Sequence, residues 1–287
     1  MNQFMMMKPL LCGIILVVLT SSFATELESS HAKEIHHFDH NHSSWTSILK
    51  KYISSQEHGT QMAYGKLVNS SSEFELYLKE LESVTQSSFH VFNREEQLAF
   101  LINAYNAFTV KLILDHYPVK SIKEIGSLFS SPWKKHFFTL LGAKRNLDNI
   151  EQGLIRQDVK AVQELEPSLR SRLKKFNDPR IHFAVNCASK SCPALRREAY
   201  IAKRLNEQLE DATYGFLNNS SSNRFIVDSS ELHLSTIFKW YGADFKNGES
   251  SVQSFVAARM GRTPDEKKVI REANISYLDY DWSLNGE

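Results

Sequence analysis

The stretch that decides the fold is REEQLAFLINAYNAFTVKLILDH, residues 94–116. Asn93 precedes it and Glu96 follows three residues later, which is the capping-box pattern of a helix start. Pro118 ends the helix, because the residue before a proline is displaced from helical backbone angles. Apolar residues occur on every side of the stretch, as is typical of a fully buried helix. The sequence therefore predicts a buried central helix over residues 94–116.

Two asparagines, Asn103 and Asn106, lie three positions apart on one face of this helix. A buried amide without a partner costs about 1 to 3 kcal/mol, so each side chain needs a hydrogen-bond partner. One interpretation is structural, with both amides binding neighbouring backbone. The other is functional: Asn106 or Asn103 orients a catalytic side chain, stabilises an oxyanion or binds substrate.

Shorter elements are predicted on both sides of the central helix. Apolar residues at spacings of three and four predict helices over residues 45–53, 72–84, 147–155, 159–176 and 193–217. Strands are expected over residues 180–187, 224–227 and 231–234. The predicted fold class is α+β, a helix-rich single domain around a small antiparallel sheet.

The N-terminal residues have the organisation of a signal peptide, with Lys8, an apolar run over 10–19 and small residues up to Ala24. The run is about half of the roughly 20 residues that a membrane-spanning helix needs. We therefore expect residues 1–24 to be cleaved, leaving no stable membrane anchor and a periplasmic or secreted protein. Residues 25–43 form a His-rich polar segment, and residues 44–287 form the globular domain.

The charge balance excludes some partners. The chain has a formal net charge of +1, with 34 basic and 33 acidic residues, and the signal peptide contains one lysine and no acid. A neutral surface gives no electrostatic reason to expect nucleic acid as a partner.

We expect no cofactor and no metal in the functional site, whereas a His-rich tail sometimes binds metal weakly. The substrate or envelope partner is left open.

Residues 182–192 concentrate side chains that can carry chemistry, namely His182, Asn186, Cys187, Ser189, Ser191 and Cys192. On the predicted strand, His182 and Cys187 point to opposite faces, so Cys192 is the better partner for the imidazole. Pro193 is expected to open the next helix, which makes Cys192 its N-cap. Main-chain N–H groups and the helix dipole lower a thiol pKa there. A thiolate beside an imidazole is a nucleophile with its base.

Three other interpretations of the cysteines stay open. Cys187 and Cys192 are the two cysteines left after signal cleavage and are expected in an oxidising compartment, which favours a disulfide. Together with His182 they form a weak zinc-ligand pattern. They are also compatible with simple packing, because a buried free cysteine behaves as a small hydrophobe.

Several motifs resemble those of the DUF547 family, a domain of unknown function. They are EQLAFLINAYNAF at 96–108, LDNIE at 147–151 with Arg156, DPRIHFA at 178–184 leading to Cys187 and Ser191-Cys192-Pro193, LSTIFKWY at 234–241 with Asp244-Phe245, and YLDYDWSLN at 277–285. They extend over nearly all of the chain from about Phe38 onward. The chain departs from the family pattern at Leu101, where the family often has Trp, and at Gln152, where it often has His. The second departure leaves His182 as the imidazole.

The resemblance implies a fold similar to papain-like and transglutaminase-like enzymes, in which a cysteine starts a central helix and a histidine lies on an adjacent sheet. Here the histidine precedes the cysteines, so that fold would have a rearranged chain order. The leading hypothesis is a thiol-dependent hydrolase or acyltransferase acting on an amide or thioester. Its catalytic residues would be Cys192 as nucleophile, His182 as base and Asn106; Asn103, Arg180, Glu151 and Cys187 would contact substrate or support the site. The alternative is a non-catalytic envelope protein, binding or structural, with a Cys187–Cys192 disulfide.

Overall fold

The computed structural model describes residue 1 and residues 38–57, 59–127, 130–246 and 249–287. Its α-helices are α1 (Ser43–Tyr52), α2 (Tyr64–Val68), α3 (Ser72–Ser83), α4 (Gln86–Val91), α5 (Arg94–Leu114), α6 (Pro167–Arg170), α7 (Leu205–Leu217), α8 (Ile237–Trp240), α9 (Gly242–Phe245), α10 (Val252–Met260) and α11 (Pro264–Glu272). Its strands are β1 (Ile53–Gln56), β2 (Gly59–Met62), β3 (Phe138–Leu140), β4 (Ala143–Arg145), β5 (Arg224–Ile226), β6 (Glu231–Ser235) and β7 (Asn274–Leu278). Shorter 3₁₀-helices include Pro179–Phe183 and Ala202–Arg204, and Asn149–Ile155 is a π-helix. The predicted signal peptide beyond residue 1 and the His-rich segment up to residue 37 lie outside the described residues.

The central helix α5 has the predicted start and nearly the predicted end. The Asn93 side chain accepts a hydrogen bond from the Glu96 N–H, and the Glu96 carboxylate accepts one from the Asn93 N–H, which completes the capping box. By length and composition α5 is the one described helix that could cross a membrane. Its side chains are instead buried inside the protein, as its all-round apolarity predicts for a core helix.

Two hydrophobic cores surround this framework. The larger core packs α1 to α5 and the segments after them, whereas the smaller core joins α7, α8, α10 and β6 around Phe183. The compact unit begins at Phe38, before the predicted boundary at residue 44. Its first residues belong to the fold, since His42 is buried and its Nδ1 lies 2.7 Å from the Tyr77 hydroxyl.

The strands of the described residues form three small sheets, and the α+β single domain is confirmed. β1 pairs with β2 and β3 with β4, both antiparallel. β5 and β6 form the predicted antiparallel pair, and β7 adds to β6 in parallel, which the sequence analysis did not predict.

The strand predicted over residues 180–187 is wrong. Residues Pro179–Phe183 form a 3₁₀-helix, started by the Asp178 carboxylate, which accepts the Arg180 N–H at 3.0 Å. The backbone from Ala184 onward is irregular, and the side chain of Asn106 replaces a strand partner. It donates to the Ala184 carbonyl at 2.9 Å and accepts the Asn186 N–H at 2.8 Å. The opposed faces inferred for His182 and Cys187 therefore do not apply.

The helix predicted to open at Pro193 is also wrong. The chain stays irregular until the 3₁₀-turn Ala202–Arg204, and α7 begins only at Leu205. Cys192 is therefore not a helix N-cap, and the dipole argument for its acidity does not hold. The main chain before α7 instead bonds to the Asn103 amide, which binds both backbone groups of Tyr200 at 2.7 and 3.0 Å.

The two helices predicted around residue 160 are modified. The first is the π-helix Asn149–Ile155, continued by the Arg156 N–H donating to the Glu151 carbonyl at 2.9 Å. The second is interrupted because Pro167 displaces Glu166 to extended backbone angles, φ −61° and ψ 141°, so that only the short helix α6 follows.

Candidate active site

One cavity of about 280 Å³ brings together four of the predicted site residues. We call it the aromatic cavity, because six aromatic side chains line it together with two carboxylates, an imidazole and both cysteines. Its lining residues are Tyr105, Trp133, Asp148, Glu151, Gln152, His182, Val185, Cys187, Cys192, Pro193, Ile237, Trp240, Tyr241, Tyr280 and Trp282. A concave, largely apolar site with a few converging polar groups is typical of a small-ligand site.

Cys187 and Cys192 are joined by a disulfide, with their Cα atoms 6.1 Å apart. This is one of the alternatives that the sequence left open. In the bonded form neither sulfur is a thiol, so the nucleophile of the leading hypothesis would exist only after reduction. Because both cysteines line the aromatic cavity, the bond faces the space that a ligand would occupy.

Three hydrogen-bond donors lie within 3.5 Å of Cys192 Sγ. The Cys187 N–H lies 2.8 Å from Cys192 Sγ, the Tyr280 hydroxyl 3.2 Å and the Ser189 hydroxyl 3.5 Å. Cys187 Sγ has the same two hydroxyl groups nearby, at 3.2 and 3.3 Å, but no main-chain donor from the described part of the chain. Donors that hydrogen-bond to an ionised sulfur lower its pKa, so this geometry favours a thiolate at Cys192 over one at Cys187.

His182 is buried and held by Asp244, with Nε2 2.8 Å from Asp244 Oδ2. Arg156 binds the same carboxylate through Nε at 2.7 Å and Nη2 at 3.1 Å. Burial alone would raise the pKa of Asp244, but the hydrogen bonds from His182 and Arg156 outweigh it and hold that pKa well below its usual range. An ionised carboxylate only accepts, so His182 donates from Nε2, and the neutral imidazole presents Nδ1 as its basic nitrogen.

The imidazole also has a fixed orientation. Its ring stacks on Tyr241 with centroids 4.0 Å apart and an angle of 16° between the planes. The Tyr241 hydroxyl donates to the Glu151 carboxylate at 2.7 Å. His182 and Glu151 are therefore connected through one tyrosine, although they come from separate short helices.

Two carboxylates lie on the wall of the cavity around the π-helix. Glu151 is buried, while Asp148 directly precedes the helix and is half-buried. Burial and the nearby Glu151 raise the pKa of Asp148 to about 6. π-helical turns inside proteins are frequent at functional sites, because the extra residue re-aims the side chains of one turn.

Three predicted site residues are not among the lining residues of this cavity in the described part of the chain. Asn103 and Asn106 bind main-chain groups, as in the structural interpretation, so both amides hold loops rather than face the cavity. Arg180 pairs with Asp178 at 2.8 Å and Glu210 at 3.1 Å in another region. Its role there is that of an ion pair that fixes the 3₁₀-helix to α7.

Several residues of the site were not predicted. Asp244 is 62 positions from His182 and 88 from Arg156, so no local pattern connects them. The available signal was the family resemblance, whose motifs contain both Arg156 and Asp244. Asp148, Trp240 and Tyr280 are likewise not among the predicted site residues, and the fold brings them to the cavity.

Comparison with known proteins gives one family. Residues 89–217 match the sequence model of a family described as "Protein of unknown function, DUF547". No curated protein and no solved structure matches the chain significantly. The matched region contains α5, the π-helix, His182 and both cysteines of the cavity, whereas Asp244 and Tyr280 follow it in the chain.

Proposed function

This chain carries a DUF547 domain, and from that premise we propose that it is a thiol-dependent hydrolase or acyltransferase acting on an amide or thioester. The single observation that carries the proposal is that His182 and the cysteine pair line one cavity. In the proposed enzyme the Cys187–Cys192 disulfide is a resting form, and a dithiol reductant opens it before turnover.

The proposed reaction uses Cys192 as nucleophile. Reduction of the disulfide by the dithiol gives two thiols and oxidises the dithiol to its own disulfide. The Cys192 thiol then transfers its proton to Nδ1 of His182, and the thiolate attacks the carbonyl carbon of the substrate. The leaving amine or thiol takes the proton from His182, which leaves an acyl group on Cys192. Water or a second acceptor attacks this acyl group and regenerates the thiol.

The neighbouring groups support this assignment of roles. The Asp244 carboxylate, 2.8 Å from Nε2, would stabilise the imidazolium that forms during proton transfer. The Cys187 N–H, 2.8 Å from Cys192 Sγ, would stabilise the thiolate. Asn106 is a positioning residue in this scheme, because it holds the main chain between His182 and Cys187.

Thiol labelling tests the nucleophile. The protein is reduced, treated with iodoacetamide at a series of pH values, and the labelled peptides are quantified separately by mass spectrometry. We expect Cys192 to react faster than Cys187, with a pKa below the value of about 8.5 for a free thiol. Cys187→Ser should keep the fast reaction of Cys192, while Asp244→Asn should change its pH profile. Equal and slow labelling of both cysteines would refute the proposed nucleophile.

Acyl transfer is tested with a simple thioester. Reduced protein is mixed with S-phenyl thioacetate, and the peptide containing Cys192 is examined for one added acetyl group. We expect acetylation in the wild type and in Cys187→Ser, and none at position 192 in Cys192→Ser. His182→Gln should form the acetyl-enzyme far more slowly. If Cys192 is never acetylated while free cysteine is, acyl transfer is not its chemistry.

The disulfide itself favours a second candidate, a non-catalytic envelope protein in which the bond is structural. Such a bond is expected in a periplasmic or secreted protein, where disulfides persist. Under this candidate, reduction would destabilise the protein and create no rapidly reacting thiol.

Fractionation of cells that express the chain with and without residues 1–24 tests the proposed location, since deletion should retain the protein in the cytoplasm.

A further inference from the structure

The side chains that line the aromatic cavity include more acidic groups than basic ones. Asp148 and Glu151 line it, and no lysine or arginine is among its lining residues in the described ranges. The nearby Arg156 already makes two contacts to Asp244, so its charge is paired. Glu151 accepts the Tyr241 hydroxyl at 2.7 Å and interacts electrostatically with Arg156, but its described hydrogen bond comes from a neutral donor rather than from that guanidinium. The cavity therefore favours a cationic occupant and disfavours an anionic one.

The same cavity is lined by a cluster of aromatic rings. Trp240, Tyr280 and Trp282 pack against one another with centroids 4.5 to 5.7 Å apart, and Trp133 contacts Trp282 at 5.6 Å. Trp240 is 46% exposed, so the ring cluster reaches solvent. Aromatic faces attract ammonium groups through the negative potential of the ring. The chain provides an internal example, because Lys123 Nζ lies 3.9 Å from the Trp282 centroid.

Asp148 is the least satisfied group of the cavity wall. Its half-buried carboxylate has no hydrogen-bond donor among the described residues, unlike Glu151. Burial and the charge of Glu151 raise its pKa to about 6, although nearby Lys134 acts in the opposite direction, so the environment of the ionised form is unfavourable on balance. A bound cation would compensate that charge, whereas a neutral alcohol packed on the same rings would not.

We propose that the aromatic cavity binds an aliphatic ammonium group, with its charge held by Asp148, Glu151 and the aromatic rings and its alkyl chain packed against the same rings. Resting on the proposed function, this ammonium group belongs to the substrate and lies near the amide or thioester that Cys192 attacks. The volume of about 280 Å³ is large enough for one alkylammonium side group.

Calorimetric titration with n-hexylammonium, 1-hexanol and hexanoate tests the inference, using the full chain with its disulfide closed. At about pH 8, where Asp148 is ionised, we expect the ammonium ion to bind about tenfold more tightly than the alcohol, and the carboxylate not to bind. Asp148→Asn should reduce this preference to near unity. Asp228→Asn, which changes an exposed carboxylate elsewhere, should leave it unchanged.

A second measurement does not depend on the variant folding. In the wild type, added sodium chloride should weaken binding of n-hexylammonium and leave binding of 1-hexanol unchanged, because only the first is electrostatic. Equal affinity for the amine and the alcohol, or no binding of either, overturns the inference.

The two proposals fail separately, because the titration needs no free thiol. Amine-selective binding together with slow labelling of Cys192 would support the cation site and refute the proposed enzyme. Rapid labelling of Cys192 without amine selectivity would support Cys192 as nucleophile and refute the ammonium substrate.

Discussion

Asp148 should weaken the fold at neutral pH, and replacing it by asparagine should therefore stabilise the protein. The carboxylate is half-buried beside Glu151, which raises its pKa from the ordinary 3.8 to about 6. The substitution Asp148→Asn would keep the size of the side chain and remove its charge. The substitution therefore measures the electrostatic cost of the Asp148 carboxylate separately from the packing of its side chain.

The magnitude follows from the difference between the folded and unfolded pKa values. A pKa of about 6 against 3.8 corresponds to roughly 3 kcal/mol at a pH well above both. Because Asp148 is partly exposed, water and counterions screen this cost, and we expect about 1 kcal/mol. This cost should be absent below the unfolded pKa, since the carboxyl is then protonated in both states. It grows as the pH rises from about 4 to 6 and is constant above that range.

Urea unfolding at about pH 8 and about pH 3.5 measures both limits. We expect Asp148→Asn to raise the free energy of unfolding by about 1 kcal/mol at the higher pH and to change it little at the lower one. Asp228→Asn, at an exposed position, is the matched control and should show no such pH dependence. A stability change of equal size at both pH values would refute the electrostatic account.

Three further predictions concern the framework of the site. Asn106→Leu should lower the free energy of unfolding in urea by about 2 to 3 kcal/mol, because it leaves two buried main-chain groups without partners; a loss near zero would refute this role. Reduction of the Cys187–Cys192 bond, which closes a loop across a sequence separation of 5, should cost about 2 kcal/mol. Cys187→Ser should match the reduced wild type, and a much larger loss would indicate an additional role. Gly286→Ala should destabilise the protein by about 2 kcal/mol and expose the C-terminus to carboxypeptidase, because its Cβ would overlap the Met62 carbonyl; unchanged stability and resistance would refute this packing.

The parts of the fold that the sequence predicted well are those with strong local signals. The helix α5 was predicted because a capping box, an uninterrupted apolar pattern and a following proline all agree. The pair β5 and β6 was predicted from two short alternating segments around a turn. β7 was not, because its parallel pairing with β6 joins residues more than 40 positions apart, and no local pattern records it.

The site itself was predicted in its residues rather than in its geometry. His182, Cys187 and Cys192 do share a cavity, but neither the strand nor the helix that was to position them exists. A short segment with five apolar residues in eight, as at 180–187, fits a buried strand or another buried segment equally well. Asp244 pairs with His182 only through tertiary structure.

The irregular backbone of the site depends on buried asparagine side chains, and one of them lies on the central helix. Without a strand or helix, the main chain from Ala184 to Pro193 needs side chains for its hydrogen bonds. Asn106 binds the first part of this segment, and Asn186 accepts the Ala188 N–H at 2.8 Å and donates to the Pro193 carbonyl at 2.7 Å. Asn106 therefore connects α5 to the start of the cysteine loop, and Asn186 connects the start of that loop to its end. Because α5 is buried on all sides, its Asn103 and Asn106 side chains lie inside the protein, where they bind the main-chain groups of irregular segments that have no other partner among the described residues.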